Sequence, residues 1–162
     1  MEKSSSSRKL TDHKVPGLNE AIEIEVLDQP GPGGANHIYR ISGYSHPVEV
    51  VANSETGETE IIGSVATEIN FQNGPIREAG FNGLSNEALL AVVIDRLRGF
   101  QHGRKESLTA DGPVEEFDFS SRGRFACREN ALALTHIEEA MMWLQKRTTD
   151  RMKRGVEGTH QR

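Results

Sequence analysis

Cysteine is all but missing from this chain. Of 162 residues only Cys127 carries a thiol, which excludes a disulfide framework and fits a reducing compartment. Long apolar runs are missing too. None approaches the roughly 20 consecutive apolar residues of a membrane-spanning helix, and the opening MEKSSSSRKL lacks the hydrophobic stretch of a secretory signal. There is no excess of positive charge: the formal net charge is −5, which argues against general binding to nucleic acid polymers or to membranes. Motifs for chemistry are absent as well. The six histidines are scattered, with neither an H-E-x-x-H pair nor paired cysteines, and no G-x-S-x-G elbow occurs. GPGG at 31–34 lacks the G-x-x-x-x-G-K-[ST] spacing of a phosphate loop. No catalytic residue, metal or cofactor is expected, and the chain reads as a binder and not an enzyme.

The expected fold class is α+β: an N-terminal antiparallel sheet, then a long antiparallel helical hairpin that packs into an oligomer. Residues 1–15 read as a disordered, Ser-rich lead-in. In residues 16–80 short strands alternate with turn signals. AIEIEVL (21–27) alternates strictly, with Ile22, Ile24 and Val26 on one face and Glu23 and Glu25 on the other. HIYRIS (37–42), VEVVA (48–52), TEII (59–62) and TEINFQ (67–72) are further strands, and NSETGETE (53–60) holds a Thr-Gly turn across which TEII can pair back. Tight connections predict an antiparallel meander.

Residues 81–160 read as helices. One begins after Ser85 as N-cap, with Leu89, Val92, Val93 and Leu97 as its stripe, and is weakened and closed by Gly99 and Gly103. Another covers 126–154 without Gly or Pro and ends at Gly155. Leu134, Ile137, Met141, Leu144, Thr148 and Arg151 recur on it at alternating three- and four-residue spacings, the seam of a helix that packs on other helices. So long a seam predicts a homo-oligomer. Between the helices, residues 104–124 form an inserted loop, either a disordered insertion or a small β-arm.

The charge is unevenly placed. Residues 144–162 hold six Lys or Arg against two acidic residues, so this end is +4 and the rest −9. One reading is a solvated helix end whose cations complement the macrodipole. The other is an anion site: Arg147 and Arg151 stand at i, i+4 on one face beside Thr148, and symmetry-related copies would double the cluster. Phe100 is either core or a stacking surface for a base, and Asn130 either a helix-surface residue or a partner for a base edge or ribose. A DNA-binding phage regulator and a structural helical oligomer are the alternatives from other classes.

INFQNGPIREAGFNGLSNEALLAVVIDRLRGFQ (69–101), FACRENALALTHIEEAMMWLQKRT (125–148) and DRMKRGVEGT (150–159) closely resemble the helical-hairpin domain of phage anti-defence sponges. That domain is shared by anti-CBASS and Thoeris anti-defence proteins. The upstream GPGGANHIYRI (31–41) is similar to the N-terminal sheet of the first Thoeris anti-defence type. The resemblance implies a non-enzymatic homo-oligomer, dimers building to a hexamer, in the host bacterial cytoplasm. It would bind cyclic nucleotide second messengers, glycocyclic ADP-ribose isomers and cyclic di- or trinucleotides, without cleaving them. By motif position it implies that Phe100 and Asn130 line an ADP-ribose-type pocket, that Arg147 and Arg151 serve a phosphate-bearing ligand, and that the backbone at Gly74 lies close to ligand. The family's connection between the two helical motifs is a short Gly-Pro, where this chain has residues 104–124.

Overall fold

The computed structural model describes residues 8–44, 49–52, 59–62 and 66–156. It is α+β, with antiparallel strands first and helices later. Six strands open the chain: β1 (Arg8–Leu10), β2 (Glu23–Val26), β3 (Ile38–Ser42), β4 (Glu49–Ala52), β5 (Thr59–Ile62) and β6 (Ala66–Asn70). A short helix α1 (Ile76–Ala79) follows, then α2 (Asn86–Gln101), β7 (His102–Thr109), β8 (Gly112–Arg122) and α3 (Arg128–Lys153). The chain divides into two compact units, one holding β1–β6 and the other α2, β7, β8 and α3.

In the first unit, strict alternation decides the register of β2. Ile24 sits opposite Ile41 and Val26 opposite Tyr39, and Val26 is only 3% exposed. On the other face Glu25 opposes Arg40, and Arg40 opposes Glu68, with an ion pair of 2.7 Å. The sheet order is β1-β2-β3-β6, antiparallel throughout, while β4 and β5 pair only with each other. The expected meander is therefore broken: β3 skips the β4–β5 hairpin and pairs with β6. The Thr-Gly turn of residues 53–60 falls largely on 53–58, outside the described residues.

The lead-in expected to be disordered through Val15 is partly ordered. Leu10 lies opposite Ile24, and Lys9 Nζ reaches Glu23 at 2.9 Å, so one apolar pair and one ion pair seat β1 on the sheet edge. The Asn19 side chain then ties down the connection, accepting from Val15 N at 2.7 Å and donating to the His13 carbonyl at 3.0 Å.

In the second unit, Ser85 caps α2, its Oγ accepting from Ala88 N at 3.1 Å. The face that α2 turns toward α3 differs from the expected stripe. Ile94 is buried at 6% exposure and Leu89, Leu90, Leu97 and Gln101 are half-buried, so Leu89 and Leu97 of that stripe are covered, whereas Val92 (66%) and Val93 (37%) are exposed. The helix has two apolar flanks, and the sequence pattern does not say which one the neighbouring helix takes. Leu134 (8% exposed) is the most covered residue of α3, and Asn130, Ile137, Met141, Leu144, Thr148 and Arg151 share its half-buried seam. Arg98 clasps Glu138 at 2.6 Å and Gln101 Nε2 donates to the Cys127 carbonyl at 2.9 Å, which joins the two helices.

Gly103 does not close α2. His102 already has extended backbone (φ −118°, ψ 151°), and the chain runs straight into β7. Residues 104–124 are thus neither disordered nor an irregular loop: β7 and β8 form a hairpin with Arg104 opposite Phe117 and Thr109 opposite Gly112. At its far end α3 closes with Gly155 at φ 71°, Gly155 N bonding to Met152 O at 2.9 Å and Val156 N to Arg151 O at 3.1 Å. This is the Schellman arrangement, in which a left-handed glycine lets the chain satisfy the last carbonyls. Among the described residues no helix is long and apolar enough to cross a membrane.

Candidate ligand-binding site

Phe100 and Asn130 converge on a residue that periodicity passes over, Phe125. Phe100 is half-buried near the end of α2, and its ring meets the Phe125 ring edge-on, centroids 6.4 Å apart and planes at 84°. The Asn130 amide lies 3.5 Å from the Phe125 carbonyl, and its backbone N–H donates to Cys127 Sγ at 3.4 Å. Cys127 is the N-cap of α3, so the lone thiol has a structural role, its sulfur accepting from an open donor of the first turn. Two arginines flank the aromatic pair. The Arg96 guanidinium stands 5.0 Å from the Phe100 centroid and Arg124 5.6 Å from that of Phe125.

Phe125 remains 65% exposed. A broad apolar ring left open to solvent, with an amide and cations at its border, offers stacking, hydrogen bonding and charge to a planar anionic ligand. The signal for it is present in FACREN, where a large aromatic precedes a helix cap. Periodicity is blind to such a position because it lies outside the helix.

The arginine end of α3 is arranged differently from its sequence spacing. Arg147 is exposed and has no hydrogen bond or ion pair among the described residues. Arg151 is half-buried and donates to the Val156 carbonyl at 2.9 Å, which ties it into the C-terminal closure. Thr148 lies half-covered between them. Lys146 is taken up by Asp150 at 2.7 Å, and that hydrogen bond, against a smaller penalty from burial, holds the Asp150 carboxyl below its ordinary range. Because α3 has 26 residues and α2 16, roughly 15 Å of α3 has no counterpart in α2. The bonds at Cys127 and Glu138 place that surplus at the C-terminal end, where these arginines stand.

Gly74 belongs to the first unit, in a loop stapled by two amides. Asn82 accepts from Asn73 N and donates to Asn73 O, each at 2.8 Å, while Gln72 Nε2 reaches the carbonyls of Gly74 (3.2 Å) and Gly80 (2.8 Å). Gly74 has φ 82°, a left-handed conformation that a side chain resists, so the backbone there is bare. The remaining five expected site residues all belong to the second unit. Among the described residues no group of three or more His, Cys, Asp or Glu is disposed to hold a metal ion.

Known proteins share much of this chain. A family model described as "Acb2/Tad1, hairpin domain" matches residues 64–149, more than half of the chain. "Thoeris anti-defense 1" of Bacillus phage SBSphiJ7 is 46% identical over 103 residues, which cover 64% of this chain and 58% of that relative. The chain thus spans under two thirds of the length of the curated relative it matches.

Proposed function

Starting from the chain's membership of the Acb2/Tad1 hairpin-domain family, the phage anti-defence sponges, we propose that it captures a cyclic nucleotide immune signal in the host cytoplasm and holds it without turnover. The observation that carries this reading is the Phe100–Phe125–Asn130 cluster with its flanking arginines. It offers a nucleobase a ring to stack on, a ribose or base edge an amide, and a phosphate its counter-charge. The relative's name adds Thoeris defence as the system opposed, so a glycocyclic ADP-ribose isomer is the ligand assigned to this cluster. Cyclic di- or trinucleotides are assigned to the Arg147–Thr148–Arg151 end.

Sequestration works by mass action, so the affinity must lie well below the signal concentration that triggers the effector. A nanomolar constant corresponds to about 12 kcal/mol. Charge-assisted bonds and stacking in a site closed by a second copy are of the right size to supply it. Assembly belongs to this proposal. Val92 and Val93 are exposed on α2, with half-buried Leu89 and Phe100 at their side, so a second copy docked there would stand beside the cluster. The two helices would then act as an oligomerising hairpin, and paired arginine ends would face each other until an anion relieved their repulsion.

A thermal-shift panel tests the reading. A ligand at a thousand times its dissociation constant stabilises the folded protein by about 4 kcal/mol. Glycocyclic ADP-ribose should raise the melting temperature of the wild type and of Arg147→Ala/Arg151→Ala, but not of Phe100→Ala. Cyclic dinucleotides should show the reverse dependence. No shift with any cyclic nucleotide, or salt-sensitive binding of duplex DNA instead, would contradict it.

A further inference from the structure

The root of the β7–β8 hairpin and the first turn of α3 enclose an open cleft of about 510 Å³, with Phe119, Ser120, Ser121, Arg122, Cys127 and Arg128 in its lining. From this cleft we infer that the hairpin is part of the binding apparatus: it forms a subsite for the phosphate-bearing part of a nucleotide whose ring rests on Phe100 and Phe125. The inference rests on the sequestration reading above and adds to it residues of β8 and the first turn of α3.

The cleft and the aromatic cluster share their framework. Gln101, which lines the cleft, follows Phe100 and donates to the Cys127 carbonyl at 2.9 Å, while Cys127 Sγ accepts the Asn130 N–H. A ligand on the cluster therefore lies next to the cleft, whose volume is within the few hundred to a thousand Å³ usual for small-molecule sites. The wall is anchored. A Cβ on Gly103 would run into Ser121 Oγ, and one on Gly123 into the Phe100 carbonyl, so two glycines let β8 close onto the end of α2.

The lining is chemically sorted. Ser120 Oγ donates to Asp118 Oδ1 at 2.6 Å and Ser121 Oγ to the Asp118 carbonyl at 3.3 Å. Their protons are committed, and what they present is acceptor lone pairs, suited to a ribose hydroxyl or an amino group. The Phe119 ring lies tilted against His102, centroids 4.8 Å apart and planes at 59°, and meets Phe117 at 6.1 Å, and it is 65% exposed. The donors are Arg122 and Arg128. Arg122 spends one N–H on the Ala126 carbonyl at 2.9 Å, and among the described residues neither arginine pairs with a carboxylate, unlike Lys9, Arg40, Arg98 and Lys146. Arg128 is moreover the first residue of α3, where a cation opposes the helix dipole. Two guanidiniums gathered at the positive end of a long helix work against stability and suit a phosphate.

Titration calorimetry with a glycocyclic ADP-ribose isomer, cyclic GMP–AMP and inorganic phosphate tests this. Arg128→Gln, and Arg122→Lys combined with Arg128→Gln, should bind the ADP-ribose isomer at least tenfold more weakly, with cyclic GMP–AMP binding and helicity by circular dichroism unchanged. Arg128→Lys, which keeps the charge but loses the fork, should give an intermediate loss. Phosphate alone should bind orders of magnitude more weakly than the nucleotide. Affinity for the ADP-ribose isomer within twofold of wild type in Arg128→Gln overturns the subsite and leaves sequestration standing. Wild type that binds neither nucleotide overturns both.

Discussion

Asp28 gathers the N–H groups of His37 and Ile38 at 2.8 and 3.1 Å, and His37 Nδ1 lies 3.2 Å from its Oδ2. Burial works against its charge, but these partners outweigh it and hold the carboxyl below its ordinary range. A carboxylate with a depressed folded value adds stability above its unfolded value, near 3.9, and loses it as the pH falls through the lower folded value. Melting temperature should therefore decline more steeply for wild type than for Asp28→Asn below about pH 4; parallel curves in thermal melts from pH 7 to pH 2.5 would show that Asp28 contributes nothing. Arg147 and Arg151 of α3 divide in a similar way. Arg151→Ala loses the bond to Val156 and should cost about 0.5–1.5 kcal/mol in denaturant unfolding, whereas Arg147→Ala, with no described partner, should cost nothing measurable. At this scale the sequence singles out side chains whose chemistry suits binding. It did not show that Arg151 is drawn to its own C-terminus, or that Phe125 bridges Phe100 and Asn130, since both depend on where a chain turns after a helix ends.

Local signals read well for the helices because their causes are local. Ser85 as a cap and Gly155 as a left-handed stop need only neighbouring residues, and both are where the pattern put them. The covered flank of α2 is a tertiary choice. Val92 and Val93 lie on one apolar flank and Leu90, Ile94 and Leu97 on the other, and only the position of α3 selects between them. This selection is testable: Leu134→Ala, which empties the packed face, should cost about 2–3 kcal/mol, while Val92→Ala should stay within about 0.5 kcal/mol in a dilute sample. The β7–β8 hairpin was legible only as one of two options. Its strands carry charges on exposed faces, and what fixes them is the close approach of Gly103 to Ser121 and of Gly123 to the end of α2.

For the whole molecule, the sheet that opens the chain, the helices that follow it and the pairing of β4 with β5 were legible, while the return of β3 to β6 and the β1 edge strand were not. Short strands say that they pair; they do not say with which neighbour. The exposed apolar side chains Val92, Leu132, Met142 and Trp143 are the residue-level mark of the proposed assembly. Light scattering at micromolar concentration should return a multiple of the 17.9 kDa chain, and Val92→Lys with Val93→Lys should lower it; an unchanged mass would place the contact elsewhere.

The central claim is capture without chemistry, and one measurement addresses it directly. The protein is mixed in excess with a glycocyclic ADP-ribose isomer, loss of effector activation is confirmed, and the mixture is heated to denature the protein before the nucleotide is recovered. The account predicts that the released nucleotide is intact by mass and again activates the effector in full. Recovery of a cleaved or altered nucleotide that no longer activates it would contradict the account and identify an enzyme.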